Sequence, residues 1–286
     1  MKQLLILSGK GGTGKTTVAS AFIRLSKAKA YADCDVDAPN LHLVAGGQSS
    51  FKASDYYGLP VAYIDTNICT SCNLCKENCR FDAISSTDVY RVDSYSCEGC
   101  GVCEYLCPAH AISLLPNISG ELMLYSDKTS IFSTARLKMG SGTSGKLVTE
   151  VKNQMKGASL EGTDLAIIDG SPGIGCPVIA SLSGVTMVLI VAEPSLSGFS
   201  DMCRIIKTAK IFGVKIAVCI NKYDSNIDNS ERIAIYCSEN NIPLTGKIPF
   251  DIQAIKATNN GQTVVDIECA AGYAISNIFR QVLDLI

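Results

Sequence analysis

A glycine-rich run near the start of the sequence has the residue types and the spacing that bind a chain of phosphates. It fits the pattern G-x-x-x-x-G-K-[ST] and lies between an apolar stretch and a stretch typical of a helix. Glycines let backbone N–H groups surround phosphates, Lys15 adds a positive charge, and the hydroxyl of Thr16 can bind Mg²⁺. The predicted ATP- or ADP-binding residues are Gly9, Lys10, Gly11, Gly12, Thr13, Gly14, Lys15, Thr16 and Thr17.

Eight of the 14 cysteines lie in two runs that share one spacing, C-x₂-C-x₂-C-x₃-C. The first run begins at Cys69 and the second at Cys97, so the offset is 28 residues (97 − 69 = 28). Ala83-Ile84 and Ala111-Ile112 recur at the same offset. The sequence therefore contains an internal duplication, with an apolar pair after each cysteine run.

This cysteine spacing is typical of iron–sulfur ligation. Three cysteines three residues apart can bind one [4Fe–4S] cluster, and the fourth cysteine of each run binds the other cluster. The predicted ligand sets are Cys69, Cys72, Cys75 and Cys107 for one cluster, and Cys97, Cys100, Cys103 and Cys79 for the second. Structural zinc is the alternative, but a zinc ribbon has no role for the middle cysteine of each triplet.

Carboxylates follow two predicted strands. Asp33, Asp35 and Asp37 come after the short strand 29–32, and Asp169 ends the apolar strand 165–168. Ligands of open α/β sheets bind at the carboxyl ends of the strands. Asp169 therefore has the position of a Walker B aspartate near Mg²⁺, and the glycine-rich turn that follows it can respond to loss of the γ-phosphate.

These residues require a doubly wound, mostly parallel α/β sheet in which strands alternate with helices. We expect a discontinuous P-loop ATPase domain of residues 1–56 and 118–286, with a two-cluster ferredoxin module of residues 57–117 inserted. Residues 46–57 are expected to be a linker, and 122–125 with 130–132 a strand pair that closes the insert. The glycine- and serine-rich stretch 140–148 precedes a helix and has three open interpretations: a second anion site, a switch or a surface loop.

Composition narrows the class of protein. A hydrophobic content of 47% indicates a globular chain, and a net charge of −2 gives no electrostatic basis for binding nucleic acid or an anionic membrane. The sequence has no signal peptide pattern and no apolar run of transmembrane length, so a cytoplasmic location is expected. The apolar stripe from Ile275 to Ile286 predicts a last helix that packs on the sheet, because no lysine cluster flanks it.

The lysine inside the glycine-rich run narrows the family. With Lys10, the run resembles the deviant P-loop of the MinD/ParA family, which includes Mrp-type proteins and the nitrogenase iron protein. The resemblance implies an ATP-dependent homodimer in which Lys10 reaches the partner's ATP. It also implies that Asp35 positions or activates the attacking water and that Asp33 supports the magnesium shell. Lys15 and Asp169 complete the expected catalytic set.

Two further segments carry a resemblance. Asn221 resembles the base-recognition residue of P-loop ATPases, and the loop 246–251 with Pro249 resembles the segment that covers the other side of the base. Residues 57–117 resemble bacterial two-cluster ferredoxins, except that Arg80 stands where that family often has proline.

Three functions remain open from the sequence. The first is an ATPase whose dimer switch is coupled to electron transfer through two [4Fe–4S] clusters to a partner protein. The second is an Mrp-like ATPase that matures iron–sulfur or metal sites on a client metalloprotein. The third, a MinD/ParA-type positioning protein, is disfavoured by the neutral charge and the unremarkable C-terminus.

Cysteines outside the two runs are expected mainly in the core: Cys203, Cys219, Cys237 and Cys269. Cys176 follows the Walker B turn and has two interpretations. It is either a buried small side chain or a thiol near the dimer interface that binds metal or responds to redox state.

Overall fold

The structure of the chain is a computed structural model that describes residues 1–45 and 51–286. Two compact units make up the described chain. The first unit consists of Met1–Ala53, Leu122–Arg136 and Gly145–Ile286, and the second consists of Ser54–Glu121 and Leu137–Ser144.

The secondary structure of the described residues alternates between strands and helices in the first unit. The strands are β1 (Lys2–Leu7), β2 (Ala30–Asp33), β3 (Phe51–Tyr57), β4 (Val61–Ile64), β5 (Ile84–Ser86), β6 (Tyr90–Val92), β7 (Ile112–Leu115), β8 (Ile118–Ser126), β9 (Ile131–Leu137), β10 (Leu165–Asp169), β11 (Met187–Ala192), β12 (Lys215–Asn221) and β13 (Leu244–Ile248). The helices are α1 (Lys15–Ser26), α2 (His42–Ala45), α3 (Leu74–Glu77), α4 (Val102–Leu106), α5 (Ser144–Ala158), α6 (Cys176–Leu182), α7 (Leu196–Ile211), α8 (Ile227–Glu239), α9 (Ile252–Asn259) and α10 (Ala270–Leu285).

The main sheet positions the predicted nucleotide residues. Among the described strands its order is β13-β12-β11-β1-β10-β2-β9-β8-β3, and the neighbouring pairs from β13 to β9 are parallel. The central strands β1, β10 and β11 are almost wholly buried apolar runs, as expected for strands covered on both faces. Their carboxyl ends meet at one edge, where the P-loop, Asp33 and Asp169 lie. The predicted mostly parallel α/β fold is confirmed.

The last helix packs as its apolar stripe predicts. Ile275, Ile278 and Val282 of α10 are buried in the core of the first unit. The ring of Phe279 lies 4.9 Å from that of Phe22 in α1. Leu283 from the same stripe remains 41% exposed, so the buried face is narrower than the sequence suggested.

One local prediction was wrong and another was incomplete. Residues 51–57 of the expected linker form strand β3, whereas residues 46–50 lie outside the described part of the chain. The expected strand pair is present as parts of β8 and β9, which are neighbours in the main sheet. Strand β9 pairs in parallel with β2, from Ala30 with Ile131 to Asp33 with Thr134. Sequence periodicity does not report which sheet a strand joins.

The second unit repeats its local structure at the offset of 28 residues. Strands β4 and β7 form one antiparallel pair, and β5 and β6 form another. The backbone N–H of Asp65 donates to the carbonyl of Ala111 at 2.8 Å, and the N–H of Asp93, 28 residues on, donates to that of Ala83 at 2.8 Å. Each half therefore completes its hydrogen bonding with the other half, as a duplicated and intertwined unit requires.

Candidate functional site

The P-loop joins β1 to α1 in a conformation that requires glycine. Gly12 and Gly14 have φ values of 77° and 89°, in the left-handed region that other residues rarely adopt. A side chain on Gly14 would also collide with the amide of Asn221. The loop therefore places its backbone N–H groups and the N-terminus of α1 around one open cavity.

Lys15, Thr16 and Asp169 form a tight cluster at the base of this cavity. The Nζ of Lys15 donates to Oδ1 of Asp169 at 2.5 Å, and the Thr16 hydroxyl donates to Oδ2 at 2.7 Å. Burial by itself would lower the pKa of Lys15, but the charge and hydrogen bond of Asp169, together with the charges of Asp33 and Asp35, raise it. The lysine is therefore charged, and a hydroxyl and a carboxylate suited to Mg²⁺ lie side by side.

Backbone hydrogen bonds fix the position of Asp33. Its carboxylate is fully buried and accepts backbone N–H groups of Asp35, Asn40 and Leu41, each at 3.0 Å. Burial and the neighbouring charge of Asp169 raise the pKa of Asp33 to about 7. Because both oxygens accept backbone N–H groups, Asp33 shapes the loop that presents Asp35.

The loops after β2 and β10 are joined to each other and to the P-loop. Ser171 donates its hydroxyl to the carbonyl of Cys34 at 2.5 Å, and the N–H of Gly173 donates to the carbonyl of Ser8 at 3.0 Å. Asp35 lines the same cavity as the P-loop, and burial raises its pKa. Hydrogen bonds therefore join the loop that carries Asp35, the turn after Asp169 and the P-loop.

Lys10 binds a carboxylate that sequence reasoning missed. Its Nζ lies 2.7 Å from Oε2 of Glu193, which follows β11, and 3.3 Å from the hydroxyl of Ser195. Lys222 lies 3.6 Å from the other oxygen of Glu193 and donates to the carbonyl of Gly12 at 3.0 Å. Burial would raise the pKa of Glu193, but its hydrogen bond to Lys10 and the charges of Lys10 and Lys222 lower it. The position of Glu193 directly after an apolar strand was the available signal.

The predicted base-recognition residues lie together at a second cavity beside the P-loop. Asn221 and Pro249 both line it, with Gly12 and Gly14 on the P-loop side. The side-chain amide of Asn221 donates to the carbonyl of Thr13 at 2.6 Å. Asn221 thus fixes the P-loop backbone and also contributes to the wall of the cavity.

The cysteines of the second unit divide between two cavities. The first cavity is lined by Cys69, Cys72, Cys75 and Cys107. The second cavity is lined by Cys97, Cys100, Cys103 and Cys79. Each cavity combines a triplet from one run with the last cysteine of the other run, which is the grouping that the spacing predicts.

The loops around the two cavities share their backbone conformation. Ser71 and Asn73 have φ values of 54° and 68°, and Gly99 and Gly101, 28 residues later, have 59° and 77°. Glycine is required at position 99, because a side chain there would collide with the carbonyl of Pro60. Left-handed turns at matching positions curl each triplet around its cavity, and the first loop makes them without glycine.

The cysteines surround these cavities and do not converge on a point. Within residues 1–45 and 51–286, no group of three or more cysteine, histidine, aspartate or glutamate side chains is arranged to hold a single metal ion. A zinc site requires four donors at about 2.0 to 2.3 Å from one ion.

Comparison with known proteins identifies the family of the chain. Residues 4–264 match the family described as CobQ/CobB/MinD/ParA nucleotide binding domain. The chain belongs to this family. It is 30% identical to the uncharacterized protein MJ0578 of Methanocaldococcus jannaschii over 99% of this chain and 97% of that protein. It is 26% identical to MJ0579 of the same organism, over 92% of both chains.

A solved structure of the MinD/ParA family shares the fold. The septum site-determining protein MinD of Pyrococcus horikoshii, complexed with Mg-ADP, superposes with a TM-score of 0.59 at 18% identity. The match covers 99% of this chain and 96% of that chain. In the part of this family member that the structure describes, no helix has the length and apolarity needed to cross a membrane.

The cysteines outside the two runs differ in exposure. Cys219, Cys237 and Cys269 are buried as predicted, and Cys203 is half-buried. Cys176 is exposed at the start of α6, so its interpretation as a core residue was wrong.

Lys152 of α5 is buried, which lowers its pKa to about 8, and it donates to three carbonyls near the end of α6. No sequence pattern distinguished Lys152 from other helical lysines.

Proposed function

We propose that this chain is an ATPase whose ATP-driven dimer switch is coupled to electron transfer, through two [4Fe–4S] clusters, to a partner protein. One observation carries the proposal: the same chain has a complete P-loop site and two cavities, each lined by one triplet of cysteines and the last cysteine of the other run. An ATPase that only positions other components has no evident use for eight cysteines in this arrangement.

ATP hydrolysis is supported by Lys15, Thr16 and Asp169 at the base of the P-loop. The amine of Lys15 would move from Asp169 to the β- and γ-phosphates of bound ATP. The phosphates are anionic like Asp169, and Lys15 lines the cavity in which they would lie. Thr16 and Asp169 would hold Mg²⁺, which when bound neutralises phosphate charge. Asp35 would then orient the attacking water by accepting a hydrogen bond from it.

ATP-dependent dimerisation is supported by the position of Lys10. Its ion pair with Glu193 is accessible, with the lysine side chain 39% exposed and the glutamate side chain 22% exposed. Such pairs contribute about 0–1 kcal/mol, so a second chain that carries ATP can compete for the amine. Glu193 would thus hold Lys10 in the single chain and release it on dimerisation.

Electron transfer is supported by the cysteine thiols that line the two cavities. Four thiolates are the usual ligand set of a [4Fe–4S] cluster, and such clusters supply one-electron transfer over a wide range of potential. Cys69, Cys72, Cys75 and Cys107 would hold one cluster, and Cys97, Cys100, Cys103 and Cys79 the other. The chain's own contribution is to shape the loops and to set the polarity around each quartet.

Maturation of metal sites on a client is a second candidate because of one observation. Cys72 and Cys100, the middle cysteines of the two triplets, are exposed. An exposed thiolate ligand is open to exchange with an incoming thiol, which a cluster carrier needs. The two functions differ in whether iron leaves the protein during ATP turnover.

The metal content tests the proposal. Protein purified without oxygen is expected to contain about eight irons and about eight sulfides per chain, because each cubane has four of each. Colorimetric iron and sulfide assays and elemental mass spectrometry measure this. Cys176→Ser, which removes an exposed thiol outside both sets, is the matched control and should keep all the iron.

Two results would change the account. About two zinc ions per chain without visible charge-transfer absorption would contradict the iron–sulfur assignment. Loss of iron to an apo-ferredoxin during ATP turnover, with none lost in ADP, would favour the maturation function over electron transfer.

A further inference from the structure

The duplication allows the surroundings of the two cavities to be compared position by position. Residues that are 28 apart take the same place in the two halves, so differences between them are differences between the cavities. Three such pairs differ in polarity or charge: Ala62 with Tyr90, Thr70 with Glu98, and Lys76 with Glu104 (90 − 62 = 28, 98 − 70 = 28, 104 − 76 = 28).

One cysteine of the first cavity accepts a backbone hydrogen bond that its counterpart in the second cavity lacks. The backbone N–H of Ala111 donates to Sγ of Cys107 at 3.3 Å. Within the described residues, no corresponding bond joins the N–H of Ala83 to Cys79, although Ala83 has the equivalent position. Tyr90 also lines the first cavity, and its hydroxyl donates to Oδ1 of Asn73, whereas Ala62 lines the second cavity at that place. The first quartet therefore has one hydrogen bond to sulfur that the second lacks.

The second cavity has more negative charge. Glu98 lines it, whereas the uncharged Thr70 lines the first cavity at the equivalent place. Over the cysteine runs, residues 69–79 carry one lysine and one glutamate, a net charge of 0, and residues 97–107 carry two glutamates, a net charge of −2. The positive charge of Arg80, which follows Cys79, offsets part of the negative charge around the second cavity. It is exposed and does not line either cavity, so water screens its charge more than that of Glu98.

Both differences act in the same direction. Reduction adds one negative charge to a cluster, so donors to its sulfurs favour reduction and nearby carboxylates oppose it. We propose that the two quartets have unequal reduction potentials and that the first electron rests on the cluster of Cys69, Cys72, Cys75 and Cys107. This inference rests on the proposed function, because it requires both clusters.

An EPR-monitored redox titration of the anaerobic whole protein, with dithionite as the one-electron donor, tests the inference. We expect two reduction steps with at least a tenfold preference for the first cluster, which equals about 59 mV for a one-electron step. Two single-cluster proteins assign the steps. Cys79→Ser should retain the cluster that is reduced first, and Cys107→Ser the cluster that is reduced second.

Glu98→Thr, which brings the equivalent residue of the first half into the second, should narrow the separation by raising the lower potential. Glu121→Thr removes the same charge from an exposed position that lines neither cavity and should leave the separation unchanged. Equal potentials, or a higher potential for the cluster retained in Cys107→Ser, would overturn the inference. A protein with far fewer than eight irons would instead contradict the proposed function, before any titration.

Discussion

Replacing Asp35 with alanine is expected to lower ATP turnover by about 10²- to 10⁴-fold, the usual contribution of a positioned acid or base. Asp35 lines the nucleotide cavity and, being an anion, does not itself attract phosphate. ATP affinity should therefore remain within a few-fold of that of the parent protein. Steady-state phosphate release and equilibrium binding of a fluorescent ATP analogue measure the two quantities.

Two further variants make the Asp35 experiment specific. Glu161→Ala removes the same charge from an exposed position that lines neither cavity beside the P-loop, and turnover should change little. Lys10→Ala should keep nucleotide binding but lose both ATP-dependent dimerisation and turnover, measured by light scattering and phosphate release. Undiminished hydrolysis by Lys10→Ala would refute its role across a dimer, and undiminished hydrolysis by Asp35→Ala would remove Asp35 from the mechanism.

Replacing Cys79 with serine is expected to remove about four of the eight irons, because a cubane rarely survives without one of its thiolates. The cluster lost should be the one held by Cys97, Cys100 and Cys103, since Cys79 lines that cavity. The cluster nearest to Cys79 in sequence, that of Cys69, should remain. Iron analysis and the EPR spectrum of the reduced protein measure the loss.

Double variants separate the crossed arrangement from the sequential one. Cys79→Ser with Cys97→Ser should lose no more iron than either change alone, because both cysteines serve one cluster. Cys79→Ser with Cys69→Ser should lose all the iron, because the two changes affect different clusters. The reverse result would mean that each run holds its own cluster, contrary to the grouping around the two cavities.

Much of the sheet and the grouping of the cysteines could be predicted because they depend on short-range spacing. The P-loop follows β1 and Asp169 ends β10, as their motifs require, and parallel strands bring both to one edge. The three-residue spacing of each triplet likewise brings its cysteines to one cavity.

What the sequence did not reveal depends on strand order and on burial. Glu193 meets Lys10 only because β11 lies beside β1, which no local pattern reports. The hydrogen bonds of Asp33 depend on the path of the loop back to Asn40 and Leu41, whose N–H groups donate to Oδ2, while that of Asp35 donates to Oδ1. Cys176 has apolar neighbours in sequence yet is exposed, because it opens a short helix.

The central claim is that the state of the nucleotide and the state of the clusters are coupled. Its direct test is an EPR-monitored redox titration of the whole protein, once with saturating Mg-ADP and once with a non-hydrolysable ATP analogue. A coupling free energy of about 1–3 kcal/mol is common between linked sites and would shift a midpoint potential by about 40–130 mV. Linkage also requires that the ratio of affinities for the analogue and for ADP differ between oxidised and reduced protein by the same free energy. The account predicts both differences, and identical midpoint potentials with identical affinities would contradict it.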